Sequence, residues 1–273
     1  MVKIFTMVKG ENDIVKDWVM YHGNLFGYKN LYIIDNISRD GTYEILVSLK
    51  NQYGINIYRS EDYKKKGDYM TFLIKKFCKN EYAFPIDIDE FIVLYDKSKN
   101  VILCDNETIY NYMKTLPPSN AYKMNYIFSK NLVCSGYERA AIDSEIGTYI
   151  DYGSNAKTFF HSLLFKDKID HGNHYHTNNY YLTDFCLIHY HCRNLDQMKK
   201  KIFNNVVGLG YTPFNLTNLK HIIQKNPSIN GTHHINNQIK ILENNFNIPI
   251  DTVLPNDISL KPLSNKLLYI YNL

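Results

Sequence analysis

Two aspartates spaced i, i+2 behind an apolar run are the residues of this chain best placed to do chemistry. The stretch reads Phe84-Pro85-Ile86-Asp87-Ile88-Asp89-Glu90-Phe91-Ile92-Val93-Leu94. Side chains alternate along an extended chain, so Asp87 and Asp89 can point to one side. Two carboxylates at the end of a buried strand repel each other and lose hydration. A divalent cation relieves both problems, and hard oxygen ligands select Mg²⁺ or Mn²⁺. The plain alternative is an acidic turn between two strands. The apolar residues on both sides weigh against it, because surface turns rarely separate two core strands.

Histidine is the second signal. Six of the ten histidines are His161, His171, His174, His176, His189 and His191. The pairs His174/His176 and His189/His191 have the spacing that puts two imidazoles on one side of a strand. One of them joined to the aspartates completes a mixed oxygen and nitrogen metal site, and histidines can also donate to a diphosphate. His221, His233 and His234 fall in helical segments and read as structural. A general base within reach of an acceptor hydroxyl would be a carboxylate or a histidine, and Glu90, Glu138, Asp143 and Asp184 are candidates. Lys157 is a phosphate contact or a solvated lysine. Asp35 can accept hydrogen bonds from a base or ribose, or cap its turn. No Gly-x-x-x-x-Gly-Lys-Ser/Thr or Gly-x-Gly-x-x-Gly motif occurs, which disfavours a P-loop NTPase or a standard dinucleotide enzyme.

The elements that must position these groups alternate regularly in the first third. Residues 3–8 read as a buried strand. Asn12 can cap a helix from 13 to about 25, with Ile14, Trp18, Tyr21 and Leu25 on one face, and Gly27 stops it. Strands at 31–34, 55–58 and 82–86 are separated by helices that end near 50 and span 68–80. That order predicts an α/β fold with a mostly parallel sheet flanked by helices, followed by a mixed second half and C-terminal helices. In such a sheet, ligands sit outside the carboxyl ends of the strands, which gathers residues 6–11, 35–42 and 87–90. After Leu94 the rhythm breaks. Asp105 or Asn106 can cap a helix ending before Pro117, and 121–128 and 157–165 are strand-like. Residues 170–183 read as a loop, and helices follow at about 195–205 and 232–246. The expected division is a single domain, with a nucleotide-binding half at 1–95, an acceptor half that completes the metal site at 96–205, and a C-terminal helical extension at 206–273.

Composition sets the bounds. At 273 residues with 45% hydrophobic and 21% charged residues, the chain is ordinary globular material. A net charge of +4 permits an anionic substrate without demanding nucleic acid. Five cysteines, an odd number without a Cys-x-x-Cys pair, fit a reducing compartment, with a small allowance for zinc near Cys186 and Cys192. Neither a signal peptide nor a membrane-length apolar run is found, so the expected location is cytoplasmic and the Asn-x-Ser/Thr sites at Asn36, Asn106, Asn215 and Asn230 are coincidental. The wealth of Lys, Asn, Ile and Tyr over Arg and Ala reads as codon bias, from a large DNA virus or another A/T-rich genome.

Taken together, several blocks resemble the family 2-like glycosyltransferases, closest in flavour to the family 92 group. They are Val8-Lys9-Gly10-Glu11-Asn12, Trp18, Tyr21-His22, Gly27, Ile34 to Thr42 and Ile86 to Phe91, followed by Lys157, His174-Tyr175-His176, Leu187 to Tyr190, and a helix from Met198 to Phe203. The match spans about residues 3–203. It departs at Gly10-Glu11-Asn12, where the family usually has asparagine before glutamate. The resemblance implies a GT-A fold with a Rossmann-like nucleotide half, a nucleotide-sugar donor (a UDP-sugar first), a glycan or other hydroxyl acceptor, and Mn²⁺ or Mg²⁺. It implies donor contacts from Thr6, Val8, Lys9, Glu11, Asp35, Asn36, Asp40, Asp87, Lys157, His174 and His176. Metal ligation would fall to Asp87, Asp89 and His189, and base catalysis with inversion to Asp184, Glu138 or Glu90. The competing readings are a metal-dependent hydrolase built on the same Asp/His cluster and a nucleotide-sugar-binding protein without catalysis.

Overall fold

The computed structural model describes residues 1–130, 146–151, 156–177, 179–190, 193, 195–229, 231–247 and 251–272. Glu138, Asp143 and His191 lie outside them. The first unit is β1 (Val2–Val8), α1 (Val15–Phe26), β2 (Leu31–Asp35), α2 (Thr42–Tyr53), β3 (Asn56–Arg59), α3 (Lys66–Phe77) and β4 (Tyr82–Pro85). The four strands pair in parallel in the order β3-β2-β1-β4. Side chains of β1 enter two cores in alternation. Val2, Ile4 and Val8 pack with α1 residues such as Ile14 and Trp18, whereas Phe5 and Met7 pack with Met70, Leu73 and Ile74 of α3. That two-sided burial is why these strands read as near-continuous apolar runs. The α1 helix ends at Gly27, whose φ of 90° is costly for other residues. Its start is not capped by Asn12, whose side-chain amide donates to the Asp40 carbonyl across the neighbouring loop (2.9 Å).

Beyond β4 the sheet is mixed, in keeping with the expected mixed second half. The continuing strands are β5 (Glu90–Asp96), β6 (Val101–Leu103), β7 (Ala121–Ser129), β8 (Ile146–Ile150), β9 (Lys157–His161), β10 (Tyr180–His189) and β11 (Ile258–Ser259). The order runs on from β4 as β9-β7-β10-β5-β6, and only β7 and β10 pair in parallel there. The reason is local. β5 and β6 join through the short turn at 97–100, and a short turn imposes antiparallel pairing. Residues 180–183, expected in a loop, belong to β10.

The remaining helices are α4 (Asn106–Thr115), α5 (Leu195–Gly208), α6 (Leu216–Lys225), α7 (Thr232–Leu242) and α8 (Lys261–Tyr271). Asp105 caps α4 by accepting from the Thr108 N–H at 2.8 Å, as expected. Val206, Leu219 and Ile235 form a small separate core that holds α5, α6 and α7 together. No described helix is long and apolar enough to cross a membrane.

Candidate active site

The chain leaves β1, passes to β2 and β3 on one side, and returns to β4 on the other. The carboxyl ends of β1 and β4 therefore flank a topological switch point, where open α/β sheets bind ligands. A cavity of about 550 Å³ opens there. Asp87, Ile88 and Asp89, between β4 and β5, form part of its wall, together with Lys9, Glu11, Lys64, Lys66, His189 and Lys201. His189 ends β10, opposite Glu90 in the strand register.

The floor under these residues is rigid. From α1, the Trp18 indole donates to the Glu90 carbonyl (3.0 Å) and the Tyr21 hydroxyl to the Ile92 carbonyl (2.7 Å). His22 bridges the same elements: its Nε2 accepts from the Ile92 N–H at 3.3 Å, and its Nδ1 faces the Trp18 carbonyl at 3.0 Å. One nitrogen must accept and the other donate, which fixes the neutral tautomer. Full burial drives the His22 pKa down to about 3.

Each carboxylate of the site meets a cation. Asp87 Oδ1 accepts from Lys66 Nζ at 2.6 Å and from the Asn173 amide at 2.8 Å, and Oδ2 accepts from Lys157 Nζ at 2.6 Å. The Lys157 ammonium also reaches Glu90 Oε2 at 2.7 Å. Glu90 Oε2 takes the Asp87 N–H at 2.7 Å as well, and its Oε1 faces the Tyr126 hydroxyl at 3.4 Å. Asp89 Oδ2 accepts from Lys201 Nζ and lies 3.4 Å from His189 Nε2. Arg193 holds Glu11 with one nitrogen and both oxygens of Asp13 with another, the latter at 2.9 Å. Burial alone would push Asp87 and Asp89 up. Lys157 and Lys66 overcome it at Asp87, and Lys201 and His189 at Asp89, holding both carboxyls well below their usual range. Glu11 goes the other way, because its burial outweighs Arg193 and raises its pKa. Burial would strip Lys66 and Lys201 of charge, but Asp87 and Asp89 reverse this and raise both ammonium groups.

The expected site residues divide accordingly. Lys9, Glu11, Asp87, Asp89 and His189 line the cavity. Thr6 and Val8 are buried in β1. Asp35 is buried beneath its turn, accepting from the Ser38 N–H and pairing with Arg59 Nε at 3.3 Å. Asn36 donates to the Ser60 carbonyl at 2.7 Å. Asp40 binds the Thr42 hydroxyl at 2.6 Å and the Lys200 ammonium, tying the loop to α5. Lys157 lies behind Asp87 rather than on the cavity wall. The rings of His174 and His176 stack 5.9 Å apart, with His176 Nε2 2.9 Å from Asp170. Asp184 lines a different cavity, beside Tyr95, Asp96 and Tyr112 at the far end of β5.

Sequence reasoning missed Lys64, Lys66, Asn204 and Asn205, and it assigned His233 and His234 a structural role. All six line the cavity. The His234 ring also sits 3.2 Å from the Asn205 amide nitrogen, and burial followed by the nearby His233 and Lys201 lowers its pKa to about 4. The weak signals were the lysine run before α3 and the two adjacent histidines of α7.

Among the described residues, no group of three or more His, Cys, Asp or Glu side chains is arranged to hold a metal ion. Both Asp87 oxygens accept from an ammonium group at 2.6 Å, and a divalent cation bound there would lie against those two charges, so the donor set at this position does not fit it.

No family model and no curated protein matches the chain. Among solved structures, it is similar to S. aureus TarS 1-349, at 11% identity over 89% of this chain and 71% of that one, with a TM-score of 0.43. The same TarS fragment in complex with UDP gives a TM-score of 0.41 at 11% identity, over 89% of this chain and 70% of that one. A mannosyltransferase from Pyrobaculum calidifontis, PcManGT in complex with GDP-Man and Mn²⁺, gives 0.34 at 13% identity, over 45% of this chain and 34% of that one.

Proposed function

We propose that the chain is a glycosyltransferase that takes a sugar from a nucleotide-sugar donor, a UDP-sugar first, and passes it with inversion to the hydroxyl of a glycan or similar acceptor. The observation that carries this reading is the cavity at the β1/β4 switch point. Its volume of about 550 Å³ falls in the range of small-molecule sites. Its wall sets Lys9, Lys64, Lys66 and Lys201 beside carboxylates fixed at strand ends. That wall suits a ligand with a strongly anionic middle and polar ends, as a nucleotide sugar has. The order of the Lys9–Glu11, Asp35–Thr42 and Asp87–Glu90 blocks supports the same reading.

In the reaction, the bond from the anomeric carbon to the diphosphate oxygen breaks. A bond from the acceptor oxygen to that carbon forms, and the acceptor proton passes to a base. Negative charge builds on the departing nucleoside diphosphate. Cations already fixed in place stabilise that charge without reorganising. Glu90 is held from three sides by Lys157, Tyr126 and the Asp87 N–H, which suits an orienting role. The proposed division of labour gives the donor to residues 1–95 together with Lys201 of α5, the acceptor to the rest of 96–205, and the closing of the cavity to the helices after 205.

The test is a screen of donor hydrolysis and transfer across UDP-, GDP- and TDP-sugars. The expected outcome is release of one nucleoside diphosphate above the rate without protein. Failure to turn over any donor, together with failure to bind UDP or GDP, contradicts the reading.

A further inference from the structure

We infer that this cavity holds a nucleoside diphosphate through the fixed ammonium groups of Lys66 and Lys201 without a divalent cation, and that Asp87 and Asp89 position those lysines. The inference rests on the nucleotide reading above and deepens it.

A carboxylate that binds a metal must offer it an oxygen lone pair. At Asp87, Oδ1 already accepts from Lys66 and Asn173, at 2.6 and 2.8 Å, and Oδ2 accepts from Lys157 at 2.6 Å. At Asp89, Oδ2 accepts from Lys201 and faces His189. A dication placed on Asp87 would lie against two ammonium groups that already sit 2.6 Å from its oxygens. The Lys66 and Lys157 side chains are only 5% and 3% exposed, and moving either leaves a charge without its partner in a poorly solvated place.

The charges agree. Glu11, Asp13, Asp87, Asp89 and Glu90 are each in contact with Lys66, Lys157, Arg193 or Lys201. The repulsion between Asp87 and Asp89, which in the sequence called for a metal, is answered within the protein. Lys66 and Lys201 both face the cavity, from α3 and α5 respectively. An ammonium group has three donors, so each lysine can keep its carboxylate and still give a hydrogen to a phosphate oxygen. Two fixed cations approaching from separate elements perform the electrostatic task of a metal ion, neutralising the leaving diphosphate.

Calorimetric titration of the full chain with UDP and with GDP, in EDTA and in millimolar Mn²⁺, tests this. The expected result is binding in EDTA that Mn²⁺ leaves unchanged within a few-fold. Lys201→Met should weaken that binding about tenfold or more, the value of one charge-assisted hydrogen bond. Lys220→Met, remote on α6, should leave it unchanged. If Lys201→Met melts early, Lys201→Gln, one atom shorter and polar but without the charge, serves in its place with the same expectation. Binding seen only with Mn²⁺ overturns this inference and leaves the glycosyltransferase reading standing. Binding of neither nucleotide under either condition overturns both. Unchanged affinity in folded Lys201→Met overturns the assignment of the diphosphate contact.

Discussion

Asp87 and Asp89 stand two residues apart, yet they are held by different parts of the molecule. The cations on Asp87 come from α3 and β9, which frame the sheet, and both are almost wholly buried. The cation on Asp89 comes from α5, whose lysine is 17% exposed and whose neighbours α6 and α7 share a small core of their own. One carboxylate is thus held by cations of the elements that frame the sheet. The other depends on a cation from the C-terminal helices. The contrast separates a stability role from a ligand role within a single Asp-x-Asp element.

Four perturbations test this contrast. The largest effect is expected from Lys157→Met. It strips Glu90 of its cation and Asp87 of one of two, and it should cost about 3–5 kcal/mol in denaturant unfolding, as removing one partner of a buried pair does. Gly67→Ala comes next. A Cβ there would lie 2.3 Å from the Ile169 carbonyl oxygen, so α3 must shift away from the 169–170 segment and take Lys66 with it. A loss of about 2 kcal/mol is expected, with nucleotide affinity falling alongside.

The third concerns pH. His22 is neutral in the fold, with a pKa near 3 against an ordinary value of 6.5. The unfolded chain therefore takes up a proton first, and stability falls as pH drops from about 6.5 towards 3. His22→Gln should remove about 1.4 kcal/mol per pH unit of that slope. Below the ordinary carboxylate range Asp87 and Asp89 add to the fall, because their folded pKa values are depressed and the stability they give is lost on acidification. Equal slopes in the variant and the parent would contradict a neutral His22 in the fold. The smallest effect on stability belongs to Lys201→Met, about 1–2 kcal/mol, because the Lys201 side chain is 17% exposed and His189 remains beside Asp89. If it destabilises as much as Lys157→Met, the contrast between the two aspartates fails.

Much of the first half was legible from sequence, because each strand there is buried on both faces and each helix carries its own punctuation, as Gly27 does for α1. The second half was less legible. The pairing of β9 with β4 and β7, and of β10 with β5 and β7, is set by long-range register that no local pattern records. The short strands β8 and β11 and the helices α6 and α8 went unread for similar reasons. In the site, the acidic and histidine members stood out because such groups are conspicuous beside apolar runs. Lys66 did not, because the run Lys64-Lys65-Lys66 looks like a solvated face. Its burial depends on Gly67 letting the 169–170 segment approach, a contact a hundred residues away in sequence. Lys201 was hidden among Lys199 and Lys200 in the same way.

The central claim is that ammonium groups, and not a metal, satisfy Asp87 and Asp89. Its most direct test counts Mn²⁺ bound to the full chain by electron paramagnetic resonance, with saturating UDP and with none. The account predicts no protein-bound Mn²⁺ in either case beyond what UDP alone retains. One Mn²⁺ per chain that disappears in Asp89→Asn would contradict it.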